Sequence, residues 1–188
     1  MRSTALCLLL IACGGSDSAP PEPDAPVDAN PGSVGCETPT ALGLGMTTSQ
    51  SMTFGGRERT WRVRLPSGYD GTPRPILFVL HGGFGTGEQI QTRQAGFDPI
   101  AERENVIVVY PNGIAVDETA TNPLQRAQTW NGGACCGPAA EQDVDDVGFL
   151  TAVLDRVEEE ACVDTGRVFF TGMSNGGIMS YRMGCERA

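Results

Sequence analysis

Two kinds of apolar pattern alternate along the chain. Ile76-Leu77-Phe78-Val79-Leu80 and Val106-Ile107-Val108-Val109-Tyr110 are unbroken apolar pentads, and Arg167-Val168-Phe169-Phe170-Thr171 is a third run of β-branched and aromatic residues. Such runs suit strands covered on both faces. Between them the period changes to that of a helix. Residues 97–104 form a helical stretch, and in 143–160 Val147, Leu150, Val153, Leu154 and Val157 recur every three or four positions. Asp143, Asp145 and Asp146 lie where a helix N-terminus favours negative charge. Residues 162–166 read as a turn, and 175–185 as a last helix. Earlier, 51–54 and 60–65 alternate apolar and polar residues around Gly55-Gly56, which predicts a β-hairpin. Strands alternating with helices predict an α/β fold with a mostly parallel, doubly wound sheet.

The 188 residues leave room for a single folded unit, and the first 35 do not read as part of it. Arg2 precedes an apolar run over 5–12 that is too short to span a bilayer but suits the core of a signal peptide. It ends in Leu10-Ile11-Ala12-Cys13. This tetrapeptide resembles a bacterial lipobox, which implies a signal peptide over 1–12 and a lipid on Cys13. Residues 13–35 are rich in Pro, Ala, Ser and Asp and read as a disordered tether. The folded part is then 36–188, on a chain exported and lipid-anchored to a bacterial membrane, or secreted.

Net charge is −10 and every basic residue is Arg, so the chain should repel phosphate backbones and nucleic acid is not an expected partner. Outside the leader and Cys13 there are five cysteines, Cys36, Cys135, Cys136, Cys162 and Cys185. In an oxidising compartment most should pair, in an arrangement the sequence leaves open. Adjacent Cys135 and Cys136 lack the spacing of zinc ligands and the chain has one His, so no metal or other cofactor is expected. Nothing suggests an oligomer, and a monomer is expected.

The chemistry concentrates at Gly172-Met173-Ser174-Asn175-Gly176, directly after the third apolar run. This is the Gly-x-Ser-x-Gly spacing of a nucleophile elbow, a sharp strand-to-helix turn that presents a serine hydroxyl in the open. Ser174 is the candidate nucleophile. The second element is His81-Gly82-Gly83-Phe84-Gly85, at the end of the strand 76–80. A Gly-rich loop there supplies one oxyanion donor, here Gly83 or Phe84, while the residue after the nucleophile, Asn175, supplies the other. His81 could be read as the catalytic base, but a His opening such a loop is expected to orient it.

Together with Tyr110-Pro111-Asn112-Gly113, Trp130-Asn131-Gly132-Gly133-Ala134-Cys135-Cys136-Gly137 and Val144-Asp145-Asp146-Val147-Gly148-Phe149, these motifs resemble the extracellular esterases of the α/β-hydrolase type. The similar groups are the poly(3-hydroxybutyrate) depolymerases and the feruloyl or acetylxylan esterases. The resemblance covers about residues 54–188. It implies ester hydrolysis through a serine acyl-enzyme, on polyester oligomers or plant-wall feruloyl or acetyl esters, with Trp130 and Tyr110 near the site. It also exposes a departure. The triad of this fold runs Ser, acid, His, yet the 14 residues after Ser174 contain one acid, Glu186, and no His. Asp145 and Asp146 read as helix caps rather than triad acids. The chain is therefore expected to be the N-terminal part of a longer esterase, nearly inactive as written. A serine peptidase on the same fold and a non-catalytic surface lipoprotein are the alternatives.

Overall fold

A computed structural model describes residues 32–115, 117, 119, 126–133, 135 and 137–187. The leader, Cys13, most of the tether and Cys136 lie outside the described residues. The folded part begins before Cys36. Ser33 is buried, donating its hydroxyl to the Ala161 carbonyl and exchanging backbone and side-chain bonds with Val163.

The chain then forms the hairpin β1 (Met46–Phe54) and β2 (Arg57–Leu65), longer at each strand than the alternation predicts. Phe54 faces Arg57 across a two-residue turn in which Gly55 and Gly56 have φ of 58° and 75°. Positive φ at both central positions is the primed turn that matches strand twist, and glycine adopts it without a Cβ penalty. Next come β3 (Arg74–Leu80), α1 (Gly87–Gln89), a π-helical turn Ile90–Ala95, α2 (Asp98–Glu104) and β4 (Ile107–Pro111). A small pair follows, β5 (Ile114–Ala115) with β6 (Gln128–Thr129), then α3 (Pro138–Glu141), α4 (Asp146–Glu160), β7 (Val163–Gly172) and α5 (Asn175–Glu186).

The main sheet runs β1-β2-β4-β3-β7. Among the described residues, strands β4, β3 and β7 form the expected parallel centre of the sheet, and the β1–β2 hairpin joins it antiparallel at one edge through β2–β4. Its centre explains the apolar pentads. Ile76, Phe78, Leu80, Ile107 and Val109 face one core with Trp61, Val63, Trp130, Phe149, Val153 and Met179, beneath α4 and α5. Val79, Val108 and Tyr110 face a second core with Ile90 and Ala101, beneath α2 and the π-helical turn. With side chains alternating across a strand, only an unbroken apolar run fills both.

Strand β7 starts at Val163, inside the stretch that reads as a turn. The register against β3 slips between Arg74 and Ile76, and Asp164 accepts from Gly166 N–H and from Arg167 within the resulting bulge. Cys36 and Cys162 form a disulfide across 126 residues, clamping the Val34–Glu37 turn to the junction of α4 and β7. Cys135 and Cys185 are also disulfide-bonded.

Candidate active site

Strand β7 delivers Thr171 and Gly172 to the C-terminal edge of the sheet, where the chain turns into α5. Ser174 occupies this turn with φ 50° and ψ −117°, a conformation costing of order 1–3 kcal/mol that persists only where its surroundings impose it. Here the surroundings do. Met173 N–H binds the Leu80 carbonyl at 3.1 Å, and a Cβ on Gly176 would lie 2.4 Å from the carbonyl oxygens of both Leu80 and His81. A Cβ on Gly172 would lie 2.5 Å from Gly176. The two glycines let α5, β7 and the end of β3 close to backbone contact, and Ser174 is exposed at the crest. Its hydroxyl makes no hydrogen bond among the described residues.

The loop after β3 lies against this turn. A Cβ on Gly82 would sit 3.7 Å from Ser174 Cβ, and one on Gly83 would sit 3.7 Å from Asn175 Cβ. The two candidate donors in this loop separate clearly. Phe84 N–H is already given to the Gln128 carbonyl at 2.7 Å, so Phe84 is not an oxyanion donor. The Gly83 N–H has no partner among the described residues, which leaves it as the candidate donor on this side. Phe84 has φ 68° and is largely exposed, its strained backbone pinned by the bond to Gln128.

His81 is fully buried with both ring nitrogens engaged. Nε2 accepts the Gly113 N–H at 3.0 Å, which requires Nδ1 to carry the proton, and Nδ1 lies 2.8 Å from the Gly82 carbonyl as its donor. A ring so fixed holds its loop and has no lone pair left for Ser174. Burial is the main cause that lowers its pKa to about 4, with the Arg59 charge adding to it and the Gly82 bond opposing. The unfolded chain, with an ordinary value of 6.5, therefore binds the proton first. Stability is fully present above about pH 6.5 and falls by up to about 3 kcal/mol as pH drops to about 4. As the only histidine, His81 gives one imidazole spectrum in ¹⁵N NMR. We expect the Nδ1–H tautomer and a midpoint near pH 4; a midpoint near 6.5 or the other tautomer would contradict this role.

Trp130 is buried beside His81, its ring centroid 5.0 Å away and its indole N–H on the His81 carbonyl at 3.0 Å. Its backbone is gripped by the Asn175 side chain, whose Oδ1 accepts Trp130 N–H at 2.7 Å and whose Nδ2 donates to Trp130 O at 2.9 Å. Asn131 continues the connection, its N–H on Asp146 Oδ2 at 2.7 Å. Asp146 is completely buried and pairs with Arg59 at 2.7 Å, while the Arg59 guanidinium lies 3.8 Å above the Phe149 ring. Burial pushes the Asp146 carboxyl upward, opposed by the Arg59 charge and the Asn131 N–H. Asp145 caps α4, accepting Gly148 N–H at 2.8 Å, whereas Asp146 is no cap but the hub of this network. Tyr110 faces the opposite core, its hydroxyl on Asp98 at 2.7 Å, so it does not join Ser174. Burial and Asp98 raise its phenol well above the ordinary range.

The Asn175 side chain, Asn131, Asp146 and Arg59 are the residues that sequence reading did not connect. Asn175 and Trp130 stand 45 positions apart, and only the hint of a Trp-Asn-Gly-Gly motif near the elbow pointed there. Among the described residues no group of three or more His, Cys, Asp or Glu could hold a metal ion.

No protein-family model matches the chain. It is 30% identical over 182 residues to NocK of Nocardia uniformis subsp. tsuyamanensis, an esterase by name, covering 93% of this chain and 49% of that one. It is 32% identical over 157 residues to feruloyl esterase D of Neurospora crassa, covering 83% and 50%. The chain thus spans about half the length of the curated relatives it matches. Among solved structures, a ferulic acid esterase superposes with a TM-score of 0.52 at 18% identity, over 74% of this chain and 53% of that one. The sheet order, the elbow and these similarities agree: the chain has the α/β-hydrolase fold and is a homologue of esterases of the feruloyl esterase kind.

Proposed function

We propose that the protein hydrolyses carboxylic esters through an acyl-enzyme on Ser174. The observation that carries this is the strained, exposed Ser174 beside a Gly83 N–H that has no partner among the described residues. Ser174 Oγ attacks the ester carbonyl carbon and its proton passes to a base. The carbonyl oxygen becomes an oxyanion between the N–H groups of Gly83 and Asn175. Collapse of the tetrahedral adduct expels the alcohol, which takes up the proton, and water then releases the acid by the same steps. The base is not His81, whose nitrogens are both occupied; in this fold's triad order it follows the nucleophile, after an acid.

Names of relatives favour aromatic plant-wall esters of the feruloyl type as substrates, ahead of acetyl esters and hydroxyalkanoate oligomers. Export, with a lipid on Cys13, belongs to the same reading, since a disulfide such as Cys36–Cys162 is at home in an oxidising compartment. The test uses the full-length protein with methyl ferulate, p-nitrophenyl acetate and a matched p-nitroanilide. Turnover of the esters with little of the anilide is expected. Comparable anilide cleavage would support the peptidase alternative, and no turnover of any of the three would support the non-catalytic one.

A further inference from the structure

The segment Gln128–Asn131 touches both halves of the oxyanion site. On the loop side, the Gln128 carbonyl accepts Phe84 N–H at 2.7 Å, one residue beyond Gly83, and Gln128 also bridges to Gly85. The Trp130 indole N–H holds the His81 carbonyl at 3.0 Å, two residues before Gly83. On the elbow side, the Trp130 peptide groups exchange two hydrogen bonds with the Asn175 side chain. From below, Asn131 is held by its N–H to buried Asp146, its Nδ2 to the Val144 carbonyl at 2.9 Å, and its carbonyl to Arg182 of α5 at 2.9 Å, among other bonds.

We propose that this segment is a strap that sets the spacing between the Gly83 and Asn175 N–H donors, and that Asn175 serves the site twice, by its backbone as a donor and by its side chain as the positioning clamp. The inference rests on the ester-hydrolase reading of Ser174. Without the strap the two donors belong to separate elements, the loop after β3 and the start of α5. An oxyanion needs both within hydrogen-bond distance at once, and a donor displaced by about 1 Å loses most of its value. A buried asparagine whose amide pairs with both peptide groups of one residue behaves like one rung of a sheet ladder. It carries direction as well as affinity, because the carbonyl must face the Trp130 N–H and the amide its carbonyl.

That directionality provides the test. Asn175→Asp keeps the shape and the acceptor for Trp130 N–H but sets an oxygen against Trp130 O. Trp130→Phe keeps the apolar ring and removes only the bond to His81 O. In the full-length protein, kcat per active site titrated with a fluorophosphonate should fall about 100-fold for Asn175→Asp. For Trp130→Phe the fall should be several-fold. In both, KM for methyl ferulate should stay within about threefold of the parent. Affinity for an aryl trifluoromethyl ketone, whose hemiketal oxygen occupies the oxyanion site, should fall in parallel with kcat. A merely structural clamp would lower the folded fraction and Tm while leaving kcat per titrated site and ketone affinity at the parent values, and that result would overturn the proposal. Ser174→Ala is run alongside: if it retains ester turnover, the ester-hydrolase reading itself fails, whatever the strap variants do.

Discussion

Replacing Ser174 with alanine in the full-length protein is expected to reduce kcat for methyl ferulate by about 10⁴- to 10⁶-fold, at unchanged fold. The size follows from the role. Without the hydroxyl there is no acyl-enzyme, and only binding and the oxyanion donors remain to favour hydrolysis by water. The unchanged fold follows from the geometry. Ser174 is exposed and its hydroxyl makes no hydrogen bond among the described residues, so truncation leaves no buried partner unsatisfied. Its unusual dihedrals are imposed by the close approach of Gly172 and Gly176 to neighbouring backbone, which alanine at 174 does not alter. The melting temperature of Ser174→Ala should therefore lie within a few degrees of the parent, and turnover above one-hundredth of the parent rate would contradict the assignment.

The largest stability effect is expected from removing the Cys36–Cys162 bond in the double variant Cys36→Ala, Cys162→Ala. A cross-link closing 126 residues removes a large part of the unfolded chain's freedom, worth about 5 kcal/mol in the chain-entropy account. That corresponds to a fall of roughly 10–20 °C in Tm for a domain of this size. Ser33 ties the same region through Ala161 and Val163, so the Val34–Glu37 turn retains contacts when the bond is gone. The loss should appear chiefly as easier unfolding rather than a displaced segment. Thermal melts followed by circular dichroism give the measurement; a Tm within 3 °C of the parent would show that the bond adds little.

The features legible in the sequence are those whose cause is local. The pentads at 76–80 and 106–110 announce central strands because both faces are covered, and the elbow is legible because its Gly-x-Ser-x-Gly spacing lies within five residues, although the backbone its glycines clear includes the distant Leu80 and His81. Where the deciding partner is distant, the sequence is silent. Nothing near Phe84 shows that Gln128 takes its N–H, so Gly83 and Phe84 could not be separated. Asp146 follows a capping aspartate and reads like one, until Arg59 of β2 is seen beside it. Tyr110 ends a strand that approaches the loop cluster, but its position in the alternation turns the ring to the far core and to Asp98. The antiparallel pairing of β2 with β4 is likewise a choice between distant strands. The bulge at 164–167 hides the start of β7 because Asp164, Thr165 and Gly166 are turn formers in sequence.

If Ser174 is the nucleophile of an ester hydrolase, it is the site of covalent capture by an irreversible serine reagent. The full-length protein is treated with an aryl fluorophosphonate, digested, and the peptides weighed and fragmented. A phosphonyl increment is expected on Ser174 alone, formed in step with loss of ester turnover and absent in Ser174→Ala. Labelling on another residue that tracks the loss of activity, or equal labelling of the alanine variant, would contradict it.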